Sequence, residues 1–475
     1  MRVLYVSTEV YPALKTGGLA DVNAALPPAL IALGCDVRLL VPGFPALLRA
    51  CTGATRIAAL EDAGGGPAWL VRGALHGVPA YLVEAPGFYD RPGNPYTAAD
   101  GRDWPDNALR FALLGRTAAR FADGSFESWR PDVVHGHDWH SGLAPAYVAA
   151  RGGDRPGTVF TVHNLAFQGH FAPETFGVLG LPPHFFAVEG LEFHGGVNFM
   201  KAGLHFADRI TTVSPTYAQE IQTPEQGAGM DGLLRARAGA LTGILNGVDP
   251  REWNPAADPR IAETYSIDRM HGKAMCRELL RSALGLSSSA HGPLFGVVSR
   301  LTAQKGLDLL LGALPDLLRA GGQLALLGAG EPALEQGFRD AAAAHPEAIA
   351  VRFGYDEDLA HRIVAGADVI VVPSRFEPCG LTQMYGLAYG TLPLVRRVGG
   401  LADTVVDAAH PDGNGFVFGP ASVEAMRGAI GRAVAAWGDR TRWLGLQKAG
   451  MTADHGWEAS AERYLALYRG LRPAA

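Results

Sequence analysis

The chain has 475 residues, 48% hydrophobic and 19% charged, so it is too long for a single hydrophobic core and too apolar to stay disordered. Its 41 basic residues against 47 acidic ones give a net charge of −6, the wrong sign for wrapping a nucleic-acid backbone. Four dispersed cysteines, Cys35, Cys51, Cys276 and Cys379, form no C-x-x-C pair, which argues against a zinc or disulfide scaffold and predicts a reducing compartment, the cytoplasm.

The opening MRVLYVSTEVYP reads as a β-strand, not as a signal peptide. No apolar run reaches the roughly 18 residues of a spanning helix, so no membrane partner is expected. Val3 to Ser7 is a short apolar run, followed by a glycine-bearing loop, a helix at Val22 to Leu33 closed by Gly34, and a second strand from Asp36 to Val41. Further strand-length runs follow at 80–83, 132–135, 158–163 and 209–213, the pattern of buried parallel strands alternating with helices. The turn- and proline-rich stretch 246–259 interrupts the alternation and predicts a domain boundary. A second series then runs through 294–299, 323–327, 349–353, 368–372 and 392–395. The expected organisation is an N-terminal Rossmann-like domain over 1–245, a hinge over 246–259 and a C-terminal Rossmann-like domain over 260–455. The last twenty residues, 456–475, form a C-terminal helix that could pack on either domain. Two doubly wound α/β domains facing each other would bind a ligand between their strand-end loops.

The motifs fall in those loops. Lys15-Thr-Gly-Gly-Leu-Ala-Asp-Val22 lies between the first strand and its helix, where Gly17 and Gly18 let backbone N–H groups approach an anion and Lys15 adds a point charge. A diphosphate suits it, although a plain strand-to-helix turn competes as a reading. In His135-Gly-His-Asp-Trp-His140 the residues His137, Asp138 and His140 follow one another closely at a strand end, where alternate side chains point in opposite directions, a poor arrangement for a metal. Asp138 and Trp139 suit a sugar better, as hydroxyl acceptor and pyranose platform. Thr161-Val-His-Asn-Leu-Ala-Phe-Gln-Gly169 places His163 at another strand end. Ser299-Arg-Leu-Thr-Ala-Gln-Lys-Gly306 offers Arg300 and Lys305 as a clamp for a pyrophosphate leaving group. Ser374-Arg-Phe-Glu-Pro-Cys-Gly-Leu-Thr-Gln383 supplies the Glu377 carboxylate, and Gly380, Leu381 and Thr382 fall at a helix start whose N–H groups can bind an anion or hydroxyls. Tyr355, after the strand 349–353, could stack on a base. Two decoys compete. Gly328-Ala-Gly-Glu-Pro-Ala333 matches a dinucleotide fingerprint, and Asp356-Glu-Asp358 resembles the acidic pair of a metal-dependent transferase, though acidic residues at a helix start are ordinary capping.

Taken together, KTGGLADV, HGHDWH, HNLAFQG, SRLTAQKG and SRFEPCGLTQ resemble the bacterial glycogen and plant starch synthase family, and YGTLPLVR from Tyr389 and GGLADTV from Gly399 extend the likeness over most of the chain. The resemblance implies a GT-B fold with an interdomain cleft, ADP-glucose as donor, an α-1,4-glucan such as glycogen as acceptor, retention of configuration, and no metal or other cofactor. It implies that Lys15, Gly17 and Gly18, with Asp21 nearby, touch donor phosphate and sugar, and that Arg300 and Lys305 hold the diphosphate. Glu377 with the backbone from Cys379 through Gly380 and Leu381 to Thr382 would meet the glucose hydroxyls, Tyr355 the adenine, and His163 and Asp138 the β-face of the reacting sugar. Tyr96 and Asn246 are further cleft contacts by the same resemblance. Many retaining relatives carry a second glutamate eight residues after the first. Here that position is Tyr385, a departure that glycogen and starch synthases share. The competing functions are a glycan-binding protein that kept the fold without the chemistry, and an NAD-dependent dehydrogenase resting on the Gly328 loop alone.

Overall fold

In the computed structural model, which describes residues 1–61 and 64–471, the apolar runs become two separate parallel sheets. The chain divides into one unit of Met1–Gly247 joined by the residues from Trp457 onward, and a second of Val248–Gly456.

In the first unit the strands are β1 (Arg2–Val6), β2 (Asp36–Pro42), β3 (Thr52–Leu60), β4 (Ala68–Leu75), β5 (Val78–Glu84), β6 (Val133–His137) and β7 (Gly157–Val162). A small antiparallel sheet of β8 (His170–Phe171), β9 (Glu192–Phe193) and β10 (Gly196–Asn198) follows, and β11 (Arg209–Thr212) and β12 (Leu241–Gly243) return to the main one. That nine-stranded sheet runs β12-β11-β7-β6-β1-β2-β5-β4-β3, parallel as far as β5 and closed by the antiparallel β4 and β3. Strands such as RVLYV are buried on both faces by the helices that cross between them. The C-terminal helix Trp457–Arg469 packs on the helix Gly18–Ala32 of this unit, with Tyr464 and Tyr468 in its core.

The second unit has six parallel strands: β13 (Leu294–Val298), β14 (Gln323–Gly328), β15 (Ile349–Phe353), β16 (Val369–Val372), β17 (Leu392–Arg396) and β18 (Phe416–Phe418). Their order is β15-β14-β13-β16-β17-β18. From Val248 the stretch expected as a hinge belongs to this unit. Trp253 is sandwiched between His361 and Tyr385 with both ring centroids 3.8 Å away, and Asp258 accepts hydrogen bonds of 2.6 Å from His361 Nδ1 and the Tyr389 hydroxyl.

In both sheets the strand order reverses next to the first strand of the unit, between β1 and β6 and between β13 and β16. Loops leaving the carboxyl ends of strands at such a switch point diverge and leave a crevice. The two best motif loops of the second unit follow β13 and β16, and the glycine loop and the HGHDWH segment follow β1 and β6.

Candidate active site

In the first unit the glycine loop is held from behind by an acid absent from the expected site. Glu9, buried just past β1, accepts the Thr16 N–H at 2.5 Å and the Thr16 hydroxyl at 2.6 Å, and also the Tyr96 hydroxyl. Tyr96 therefore serves this support. Its hydroxyl also lies 2.8 Å from Thr8 Oγ1, and its ring stacks on His140 at 4.3 Å. Lys15 Nζ sits 3.0 Å from Asp21 Oδ1. Gly17 takes an extended conformation at the N-cap of the helix, and a Cβ there would meet no protein atom within 4 Å. Nothing in the fold demands that glycine, which leaves open space beside the backbone for a ligand.

Asp138 follows β6 with φ 56°, a left-handed conformation that a non-glycine residue adopts at a cost of order 1–3 kcal/mol. Its Oδ1 accepts the His163 N–H at 2.7 Å and the Asn164 N–H at 3.4 Å, so the carboxylate ties the β6 and β7 loops together. Burial pushes its pKa up to about 7, against those two backbone donors and with help from the nearby Glu9 charge. The half-buried His163 imidazole is pushed down to about 3 by burial, so it is neutral at pH 7. Its Nε2 lies 3.0 Å from His137 Nδ1. Trp139 corrects the sequence reading. It is buried against Phe111, with ring centroids 5.0 Å apart, and a Cβ on Gly169 would come within 2.2 Å of its indole. The indole face is thus covered by the protein's own backbone and is no platform for a pyranose. Asn246 is buried, and its Oδ1 has no hydrogen-bond partner among the described residues.

In the second unit Lys305 Nζ pairs with Glu377 Oε2 at 2.6 Å, and Ser374 Oγ donates to the same oxygen at 2.8 Å. The two loops are locked together. Arg375 N–H donates to Gln304 O, and the Arg375 guanidinium forms a fork on Asp308 at 2.7 Å through each nitrogen. Gly306, at φ 64°, permits this contact, since a Cβ there would lie 2.2 Å from Pro373 O. Arg300 is exposed, and its guanidinium has no hydrogen-bond or ion-pair partner among the described residues. Cys379 is buried, and the chain turns through Gly380 and Leu381 into the helix Thr382–Ala388, which among the described residues has no side-chain cap. Tyr355 is 73% exposed and donates to Glu357 Oε2 at 2.5 Å.

The decoys resolve into structure. Asp356 accepts the Leu359 N–H at 2.9 Å as an ordinary N-cap. The glycines of the Gly328 loop accommodate the neighbouring backbone, since a Cβ on Gly328 would lie 1.9 Å from Ser299 O and one on Gly330 2.2 Å from Leu301 O. That space is filled by the loop bearing Arg300, not left for a dinucleotide.

The starch synthase catalytic domain model matches residues 2–236, and the model of glycosyl transferases group 1 matches residues 287–444. The chain is 56% identical to the glycogen synthase of Edwardsiella ictaluri, over 99% of this chain and 100% of that one. It is 52% identical to the glycogen synthase of Rhodopseudomonas palustris, over 100% and 98%. The chain belongs to the glycogen and starch synthase family. Its fold superposes on the catalytic domain of starch synthase IV from Arabidopsis thaliana, solved with ADP and acarbose, with a TM-score of 0.89, 31% identity and 99% of each chain covered. As a member of this family the chain is a glucosyltransferase of GT-B fold.

Sequence reading gives Glu9 and Thr16 no role, although Thr16 lies inside the glycine motif and Glu9 shortly before it. The available signal was position: Glu9 stands at the carboxyl end of β1, where a buried acid needs a reason. His137 was read only as part of a failed metal spacing.

Proposed function

We propose that the chain transfers glucose from ADP-glucose to the non-reducing end of an α-1,4-glucan, with retention of configuration and without a metal ion. The observation that carries this is the Lys305–Glu377 pair, a held cation and carboxylate in the loops of a switch point, with the exposed Arg300 five residues before Lys305 on the same loop. Such a set can stabilise the charge that grows on a departing diphosphate while orienting sugar hydroxyls.

On this reading Arg300 and Lys305 hold the diphosphate, with Lys15 and the backbone of Gly17 and Gly18 as further contacts and Asp21 setting the position of Lys15. Glu377 and the backbone from Cys379 to Thr382 take the glucose hydroxyls. Tyr355 stacks on the base, its large exposed ring being suited to it. His163, neutral at pH 7, contacts the sugar as a hydrogen-bonding group and not as a cation. Asp138, with a pKa raised to about 7, holds the His163 loop through its backbone bonds and faces the reacting sugar, while Tyr96 and Asn246 complete the lining. The relatives named above support the donor and acceptor assignment, and the Arabidopsis enzyme is solved with ADP. A cytoplasmic location without nucleic-acid partners goes with this reading. Among the described residues no helix is long and apolar enough to cross a membrane.

A donor panel tests the proposal. With glycogen as acceptor, ADP-glucose should release ADP and lengthen the glucan in the presence of EDTA. Faster turnover with UDP-glucose rejects the donor assignment, and activity lost to EDTA and restored by Mg²⁺ rejects the metal-free route. No nucleotide release from either donor leaves a glycan-binding protein instead.

A further inference from the structure

The histidine that follows β7 does not stand alone. His137, at the end of β6, is fully buried. Its ring stacks on Tyr5 at 4.0 Å and packs at a tilt against His135 at 4.0 Å, and its Nδ1 lies 3.0 Å from His163 Nε2. The other nitrogen, Nε2, is buried and has no hydrogen-bond partner among the described residues. His135, one layer further in, is fully engaged, with Nδ1 2.7 Å from the Tyr468 hydroxyl and Nε2 2.6 Å from Thr161 Oγ1. Burial depresses the pKa of both His137 and His163, so at neutral pH the pair holds two neutral rings with one N–H each.

Two arrangements make the bond between the rings. If His163 donated from Nε2, the single hydrogen of His137 would sit on its own Nε2, a buried N–H with nothing to receive it, which folded proteins rarely tolerate. If His137 donates from Nδ1, the same bond forms and only a bare lone pair faces the aromatic packing. The second arrangement wins, and in a neutral imidazole it leaves the His163 hydrogen on Nδ1. That nitrogen has no protein partner among the described residues.

We propose that His137 is a positioning residue that fixes the tautomer of His163, so that His163 presents an Nδ1–H donor to a hydroxyl of the bound sugar. The sugar contact rests on the function proposed above. The tautomer does not.

The test uses the full-length enzyme labelled with ¹⁵N-histidine, the His163 ring signals being assigned by their loss in His163→Ala. In the wild type His163 should show a protonated Nδ1 and a bare Nε2. His137→Asn places an amide nitrogen where Nδ1 stood, and should keep that spectrum and a kcat within about threefold. His137→Phe keeps the aromatic stack without a donor. It should give a mixture of His163 tautomers and lower kcat by about tenfold, the scale of one lost hydrogen bond, with donor KM within about twofold and the melting midpoint followed in parallel. A wild-type His163 protonated on Nε2 overturns the proposal, as does a Phe variant with unchanged spectrum and kcat, or equal losses in the Asn and Phe variants. Full activity in His163→Ala instead defeats the reading of His163 at the sugar while leaving the spectral result intact, so the two failures are separable.

Discussion

Lys305 Nζ and Ser374 Oγ bind one and the same oxygen of Glu377, Oε2, at 2.6 and 2.8 Å. The other oxygen, Oε1, has no hydrogen-bond partner among the described residues, which suits a carboxylate whose task is to receive sugar hydroxyls. Because the cation and the acid orient each other, their losses should not add. Lys305→Ala and Glu377→Gln should each lower kcat by at least roughly 10²-fold, about 2.7 kcal/mol of transition-state stabilisation. The double variant should lose clearly less than the product of the two. Steady-state kinetics on the four proteins checks this, and strictly multiplicative losses would show that the two groups act independently.

The Glu9–Thr16 contact makes a different kind of prediction, because neither group is proposed to touch the donor. Thr16→Val removes the hydroxyl bond to Glu9 Oε1 but keeps the backbone one to Oε2. Losing one charge-assisted bond of roughly 1.5–3 kcal/mol frees the loop without unfolding it. The expected result is a donor KM raised by about tenfold, a kcat changed less, and a single cooperative melting transition lowered by about 3–12 °C. A fall in kcat at constant KM would instead place Thr16 in the chemistry.

Much of the sheet architecture was legible because parallel strands buried on both faces spell continuous apolar runs, and LFGVV and VIVV did so. The β3–β4 hairpin was not, since β3, TGATRIAAL, is an exposed edge strand with mixed polarity and two irregularities in its register. Strand β18 was missed because three residues carry no period. The proline-rich stretch around Asn246 reads as a linker by composition, yet Trp253 and Asp258 find their partners more than a hundred residues later in His361 and Tyr389, a distance at which no local pattern speaks. Site residues carried by motifs were findable, whereas Glu9 and His137 act on other site residues and leave no spacing of their own. Trp139 was misread for a similar reason. An indole beside a carboxylate looks like a sugar platform until Gly169 is seen lying on its face.

Asp138 gives the protein a signature in pH. Its carboxyl is raised from 3.8 to about 7 in the folded state by burial, so between about pH 4 and 7 the native protein holds a proton that the unfolded chain has released. Stability from this group is therefore lost as pH rises through that window, by about 1.4 kcal/mol per pH unit. His163 and His140, each pushed down to about 3 by burial, have the opposite sign, losing stability as pH falls below about 6.5. Asp138→Asn keeps an oxygen to accept the His163 N–H but removes the titration. Urea unfolding from pH 4 to 7 should show the variant gaining on wild type by about that slope while its kcat falls. A difference that does not change with pH would mean that Asp138 is ionised throughout.

The C-terminal helix supplies the last prediction. Trp457, Tyr464, Leu465 and Tyr468 are buried in the core of the first unit. The Ser460 hydroxyl donates to Leu245 O at 2.6 Å, and the Tyr468 hydroxyl lies 2.7 Å from His135 Nδ1. At roughly 2 kcal/mol for each large apolar side chain, removing residues 457–475 forfeits about 8 kcal/mol, which is comparable to the whole stability of an ordinary domain. The truncated chain should therefore fail to fold its first unit, seen as loss of the cooperative unfolding transition of that unit in calorimetry. Point changes grade the effect. Tyr468→Ala should cost about 3–5 kcal/mol through the cavity it leaves, and Tyr468→Phe about 1–3 kcal/mol, because only the partner of a buried histidine nitrogen is lost. Since the helix supplies none of the groups proposed to meet the donor, Tyr468→Phe should keep the wild-type donor KM at temperatures below its own melting transition. A Tyr468→Phe variant of full stability would place the His135 contact outside the forces that hold the helix down.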